Sequence, residues 1–259
     1  MSGSPPIRVV ALRKVFRQTT GQPVVAIAGL ECVIAPHEIV AIVGQTGCGK
    51  STFFNILLGV ETPTSGCIDI GGQTPYGDFA AFRGRISMVF QQDRLLPWRS
   101  ALDNVRLGLE ILGLSKAEQR RRAAVWLERV GLAGFRDAFP HELSGGMRQR
   151  VAIARAFAVQ PRILLADEAF GHLDAGTALH LRTIFVELAR ETQSTAVLIT
   201  HQLEEALLVG ERILVFGKPA RLLADIRLHA WAPGQHALLR DAIQQTLQSN
   251  ACDPRLERG

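Results

Sequence analysis

The residues best suited to chemistry stand at Gly44-Gln45-Thr46-Gly47-Cys48-Gly49-Lys50-Ser51-Thr52. An apolar run, Ile39 to Val43, leads in, and an apolar helical pattern, Phe53 to Leu58, leads out to Gly59. A G-x-x-x-x-G-K-[ST] pattern set between a strand and a helix is a phosphate-binding loop. Gly44, Gly47 and Gly49 carry no Cβ, so the backbone can curl tightly and turn its N–H groups inward. The helix beginning near Lys50 adds its unpaired N–H groups and its positive end. Lys50 brings a full charge to the outer phosphates, and the Ser51 hydroxyl is placed to ligate Mg²⁺.

Three further apolar runs end in polar residues. Arg85 to Phe90 leads to Gln91, Arg162 to Ala166 leads to Asp167-Glu168, and Thr195 to Thr200 leads to His201. Ligands of open α/β sheets bind outside the carboxyl ends of the strands, so these groups and the loop are expected to converge. Asp167 suits Mg²⁺ held through water. Glu168 suits a general base on an attacking water, a role worth about 10²–10⁴-fold in rate. His201 is expected at the γ-phosphate, and Gln91 is expected to sense metal and water with a neutral amide. Phe16 ends a β-rich segment and either stacks on a base or packs in the core.

The elements that must position these groups follow from the rest of the chain. Ile7 to Phe16 and Val24 to Ile34 read as an antiparallel pair, separated by a turn over 18–23. Cys67 to Ile70 reads as a short strand. Ser100 to Gly113 and Ser115 to Val130 read as helices, the second marked by a Ser115/Glu118 capping box. Arg120-Arg121-Arg122 is its solvated face. Helices are also expected before Pro161, from Ala175 to Glu191 and from His236 to Leu247, with a strand at Arg212 to Phe216 and a loose tail from Ser249. The apolar runs are continuous rather than alternating, which argues for a largely parallel α/β sheet.

Composition bounds the alternatives. The 259 residues fit one large domain, or a core with inserted subdomains. With 47% hydrophobic and 20% charged residues the chain is ordinary for a globular protein, and a net charge of +5 does not by itself argue for nucleic acid. Cysteines at 32, 48, 67 and 252 show no C-x-x-C spacing and read as reduced thiols of a cytosolic protein. Met1 to Pro6 lacks the apolar core of a signal peptide, and no stretch approaches about 18 apolar residues, so any membrane role is expected to come through a partner.

Ser144-Gly145-Gly146 opens a second helix with anion-binding potential, although Ser144 is also an ordinary N-cap. In Leu143-Ser144-Gly145-Gly146-Met147-Arg148-Gln149-Arg150 the chain resembles the signature sequence of ATP-binding cassette (ABC) ATPases. The other family elements stand in order: Phe16 as the adenine-stacking aromatic, the phosphate loop, the Q-loop glutamine Gln91, Asp167-Glu168, the D-loop Leu173-Asp174 and the switch histidine His201. The resemblance covers roughly residues 7 to 216. It implies a P-loop NTPase fold: a mainly parallel core sheet, an N-terminal antiparallel β-subdomain and an inserted helical subdomain at about residues 95–160. The nucleotide-binding domain would be 1–220 and a C-terminal extension 221–259.

ATP and Mg²⁺ are the implied ligands, with Lys50, Glu168 and His201 catalytic. Ser51, Gln91 and Asp167 form the implied metal set. The resemblance implies a head-to-tail homodimer, in which ATP on Lys50 of one subunit is covered by Ser144 and Gly146 of the other. Phe16, Gly44 to Thr52, Gln91, Gly145 and Asp174 complete the nucleotide set.

Val89-Phe90-Gln91-Gln92-Asp93-Arg94-Leu95-Leu96-Pro97-Trp98 and Phe170-Gly171-x-Leu173-Asp174-Ala175 are similar to ATPase subunits of nitrate/sulfonate/taurine-type importers. That implies a peripheral protein on the cytoplasmic face of the membrane, coupling ATP hydrolysis to uptake of a small solute. A separate permease would dock near Leu95 to Trp98, a periplasmic or extracellular solute-binding protein would complete the complex, and no nucleic acid is implied. Trp98 is either such an anchor or packs within the helical subdomain. The alternatives are an exporter subunit, or an ABC ATPase working on nucleic acid or ribosomes. Two departures stand out: Ala169 replaces the family's usual proline and is expected to loosen the turn after Glu168, and His172 replaces a small residue before Leu173-Asp174, where a dimer contact would make it pH-sensitive. Cys48 inside the loop implies that alkylation blocks ATP binding and that MgATP protects.

Overall fold

The computed structural model describes residues 4–17, 21–171 and 173–256. Part of the turn expected over 18–23, His172, and the last three residues of the tail lie outside them. The chain runs β1 (Ile7–Phe16), β2 (Val24–Ile34), β3 (Ile39–Gly44), α1 (Lys50–Leu57), β4 (Ser65–Ile70) and β5 (Ile86–Val89). Helices α2 (Ala101–Ile111), α3 (Lys116–Arg129) and α4 (Gly145–Ala158) come next, then β6 (Ile163–Asp167) and α5 (Ala175–Glu191). The chain continues as β7 (Thr195–Thr200), α6 (Leu203–Val209), β8 (Arg212–Phe216), β9 (Leu222–Arg227) and α7 (His236–Ser249). The α/β class read from the sequence is the one found. Helix α6 and strand β9 were not anticipated; both are short, and β9 follows the Lys218–Pro219 turn, where apolar periodicity is interrupted.

The chain divides into two compact units, one of residues 1–82 and 195–259, the other of 83–194. In the first, β3 is buried at every position and lies parallel to β7 on one side and β8 on the other. Both neighbours are equally buried, which is why these strands show no alternation. Strand β9 closes the sheet antiparallel to β8. A second, antiparallel sheet has the order β2-β1-β4, as expected for the N-terminal segments. In the other unit β5 and β6 run parallel, with α2 to α5 alongside in sequence.

Helix starts follow side-chain chemistry. Ser100, Ser115, Ser144 and Asp174 each accept a backbone N–H three residues on, at the starts of α2, α3, α4 and α5. Only half of the capping box at Ser115 forms. Its hydroxyl takes the Glu118 N–H, but the Glu118 carboxylate turns to Arg121 and Arg122, whose hydrogen bonds hold it down at about 2. Two charged donors outcompete one neutral amide.

The tail is not loose. Leu239, Ala242 and Ile243 of α7 are buried with Trp231 and Leu256 against Ala206, Ile213 and Val215. Leu256, the last described residue, therefore belongs to the core of the first unit, whereas Ala251, Cys252 and Arg255 are exposed. Among the described residues, no helix is long and apolar enough to cross a membrane.

Leu239 and Leu238 are neighbours on α7, 0% and 65% exposed. Leu239→Ala is expected to destabilise by about 2–4 kcal/mol and Leu238→Ala by less than about 0.5 kcal/mol, read from denaturant midpoints. Equal losses would mean that α7 does not pack through this face.

Candidate functional site

The phosphate loop links β3 to α1. Gly47 and Gly49 have φ of 72° and 115°, a region L side chains avoid. At Gly49 a Cβ would also fall 2.3 Å from the Ala26 carbonyl oxygen, so the loop lies flush against β2. Helix α1 has no side-chain cap and no acidic residue in its first turn, so its positive end stays uncompensated. Lys50 is 6% exposed, and its ammonium donates to the carbonyls of Gly44 (2.6 Å) and Gln45 (3.0 Å). Gln45, Thr46, Gly47 and Ser51 are exposed, while Cys48 is turned inward. His201 follows β7 at the same end of the sheet, since Thr200 pairs with Val43 directly before the loop. Phe16 is exposed at the end of β1, with the Lys14 ammonium 5.0 Å from its ring centre.

In the second unit the same logic gathers Gln91, Asp167 and Glu168. Val89 pairs with Ala166, so both strands end together. Gln91 Nε2 donates to Glu168 Oε2 at 3.3 Å. Glu168 does not continue the pleat. It has a φ of 46°, a left-handed conformation that re-aims its carboxylate, of the kind found where function over-determines the backbone. The turn after it is held rather than loosened at Ala169. That residue is buried, and its carbonyl accepts a 2.7 Å bond from Gln149 Nε2, which also reaches the Phe90 carbonyl. One buried amide of the signature helix thereby ties together the segments carrying Gln91 and Glu168.

Helix α4 grips the Q-loop further. Arg148 Nε meets Asp93 Oδ2 at 3.0 Å, and Arg155 donates to the carbonyls of Asp93 and Arg94. Gly145 lies beside this segment, lining a cavity of about 400 Å³ with Gln91, Arg148, Gln149, Ala169 and Leu173. Beyond Gly146, a Cβ would come 2.6 Å from the Thr177 methyl, so the start of α4 lies close against α5. Asp174 caps α5, and the Thr177 backbone N–H holds its carboxyl below the usual range.

Trp98 is 71% exposed and does not pack into the helices. Its segment is nevertheless fixed. Fully buried Asn104 accepts the Leu96 N–H and donates to the carbonyls of Leu96, Arg99 and Ser100. Sequence reading passed over Asn104 and Gln149. The signal available was a lone amide within the apolar stripe of each helix.

Of the residues the resemblance implies for magnesium, Ser51 in the first unit offers a hydroxyl, and Gln91 and Asp167 in the second offer an amide and a carboxylate. All are hard oxygens, which fits Mg²⁺. Among the described residues no three His, Cys, Asp or Glu side chains form a cage, and an ion carried by phosphate oxygens needs none.

Cys48 is 1% exposed, with its sulfur 2.8 Å from the place a Gly44 Cβ would occupy. Alkylation therefore requires the loop to open. A small maleimide is expected to label exposed Cys252 first and Cys48 slowly, and saturating MgATP to slow only Cys48 further. Mass spectrometry of the labelled peptides checks this, and a Cys48 rate indifferent to MgATP would contradict it.

The ABC transporter family model matches residues 27–171. The taurine import ATP-binding protein TauB of Yersinia pestis bv. Antiqua (strain Antiqua) is 42% identical over 210 residues, covering 81% of this chain and 80% of that one. The nitrate import ATP-binding protein NrtD of Synechocystis sp. (strain ATCC 27184 / PCC 6803 / Kazusa) is 38% identical over 224 residues, covering 86% and 82%. Among solved structures, the dimeric post-hydrolysis state of the ATP-binding cassette MJ0796 bound to ADP and Pi aligns with a TM-score of 0.77 at 32% identity. It covers 86% of this chain and 98% of that one. Motif order, strand-end chemistry and likeness to these proteins agree: the chain belongs to the ABC transporter family, as one of its ATP-binding cassettes.

Proposed function

We propose that this cassette hydrolyses ATP to drive uptake of a small solute through a separate membrane permease. The observation that carries the reading is the preformed loop, with a buried ammonium, glycines at positive φ and a helix start without a side-chain cap or first-turn acid, on a chain whose relatives are import ATP-binding proteins. Gly44 to Thr52 bind the phosphates, Lys50 carries the main charge to them, and Phe16 offers its exposed ring to the adenine. Ser51, Gln91 and Asp167 are the residues that would hold magnesium, which supplies charge neutralisation at the phosphate oxygens when bound.

Glu168 takes the proton of the attacking water, and Gln91, hydrogen-bonded to it, orients that carboxylate. His201 supports the γ-phosphate and the water. Ser144, Gly145, Gly146 and Asp174 serve the nucleotide of a second copy. A dimer of cassettes therefore closes on two ATP molecules and opens after hydrolysis, a switch of the order–release kind. Residues 95–160 form the helical subdomain of the 1–220 nucleotide-binding domain, and 221–259 the extension.

Exposed Trp98, on a segment fixed by Asn104, is the anchor for the permease. Phe135 and Phe139 are also exposed, on a stretch hydrogen-bonded to the start of α2 through Arg136 and Ala138. Aromatic side chains of this kind concentrate at interface centres. Asp93, Arg148 and Arg155 then connect that surface to the signature helix. The protein works at the cytoplasmic face of the membrane, and a solute-binding protein delivers cargo from the other side.

Glu168→Gln is expected to keep ATP binding, lower steady-state hydrolysis by at least about 10²-fold and trap a nucleotide-loaded dimer on gel filtration. Hydrolysis within a few-fold of the parent would remove Glu168 from the base role.

A further inference from the structure

The C-terminal extension reaches the phosphate loop directly. Gln45 Nε2 donates to the carbonyl of Leu247 at 2.6 Å, satisfying one of the orphan acceptors at the end of α7. Three residues on, Asn250 ends the helix in the left-handed conformation, φ 52°. Its side-chain amide clasps the backbone of Lys218 on both sides, accepting the Lys218 N–H (2.8 Å) and donating to the Lys218 carbonyl (2.8 Å). Gly217 permits this approach, since a Cβ there would lie 2.6 Å from Asn250 Oδ1. Arg221 adds a 2.7 Å bond to the Asn250 carbonyl. A chain segment gripped at this many polar points is positioned, not draped.

The clasp fixes where the Lys218 side chain starts, and that side chain runs to the loop. A Cβ built on Gly47 would stand 3.7 Å from Lys218 Nζ. Gly47 belongs to the exposed face of the loop, whereas the ammonium of Lys50 is folded inward onto loop carbonyls. The two cations therefore meet the loop at different residues, Lys50 at Gly44 and Gln45 and Lys218 beside Gly47.

We infer that Lys218 is a second phosphate-binding cation of the nucleotide site, and that Asn250 at the end of α7 is the residue that positions it. This rests on the reading that the Gly44–Thr52 loop holds the phosphates of ATP, and it gives the extension a role at that site. The last turn of α7 braces the loop through Gln45 and aims the lysine through Asn250. ATP keeps a net negative charge even with Mg²⁺ bound, so a further cation beside Gly47 strengthens binding.

The test is equilibrium binding of ATP to the full chain, by competition with a fluorescent ADP analogue at low and high salt. Lys218→Ala is expected to weaken ATP binding about fivefold at low salt, with the loss shrinking as salt screens it. Lys218→Arg is expected to retain most of the affinity. Asn250→Gly keeps the left-handed helix end but removes the clasp. It is expected to raise the KM for ATP more than it lowers kcat, and to add nothing further in a Lys218→Ala background.

Parent-like ATP affinity in Lys218→Ala at low salt overturns the inference. So does a loss in Asn250→Gly that persists in full without Lys218, because Asn250 would then act on folding alone. The two readings fail separately: a Lys50→Ala chain that binds ATP normally overturns the loop assignment, whereas normal binding by Lys218→Ala alone overturns only the role of Lys218.

Discussion

Lys50 holds a full positive charge where water barely reaches, bonded to the carbonyls of Gly44 and Gln45 in its own loop. A buried ammonium without such partners would cost several kcal/mol, so the curl of the loop and the burial of the lysine depend on one another. Gly49 lies too close to Ala26 to carry a side chain, and the loop follows a β3 that is buried on both faces. The sheet exists to hold that strand end still. An anion arriving at such a site meets a helix start already formed and without a side-chain cap.

The second unit meets a different demand with the same economy of means. Glu168 and Gln91 follow two separate strands, β6 and β5. Gln149 and Arg148, on the helix that begins at Ser144, reach the segments bearing Glu168 and Gln91. A shift of the signature helix must therefore be felt by the Q-loop, and through Asp93 and Arg155 by the stretch leading to Trp98. This is a contiguous polar network, of the kind that can carry energetic coupling between distant parts of a unit.

Much of this was legible in the amino-acid order. Continuous apolar runs identified β3, β7 and β8, because strands covered on both faces need no alternation. Glycine positions and a following lysine marked the loop, since only such residues permit that backbone and charge together. What escaped was long-range and polar. Nothing local to Asn250 says that its amide will clasp Lys218, and nothing around Gln149 names Ala169 as its acceptor. The tail from Ser249 looked loose because its one large apolar residue, Leu256, packs on a surface made by distant strands. The Ser115 box was half misread because Arg121 and Arg122 compete for Glu118 more strongly than a backbone amide.

The central claim is that each ATP is held between the loop of one copy and the Ser144 helix start of another. A crystal or cryo-EM structure of the Glu168→Gln chain loaded with MgATP tests it most directly. The account predicts a head-to-tail dimer in which Ser144 Oγ lies about 3 Å from a γ-phosphate oxygen of the ATP seated on the other copy's phosphate loop. A loaded structure with Ser144 facing solvent, away from every triphosphate, would contradict it.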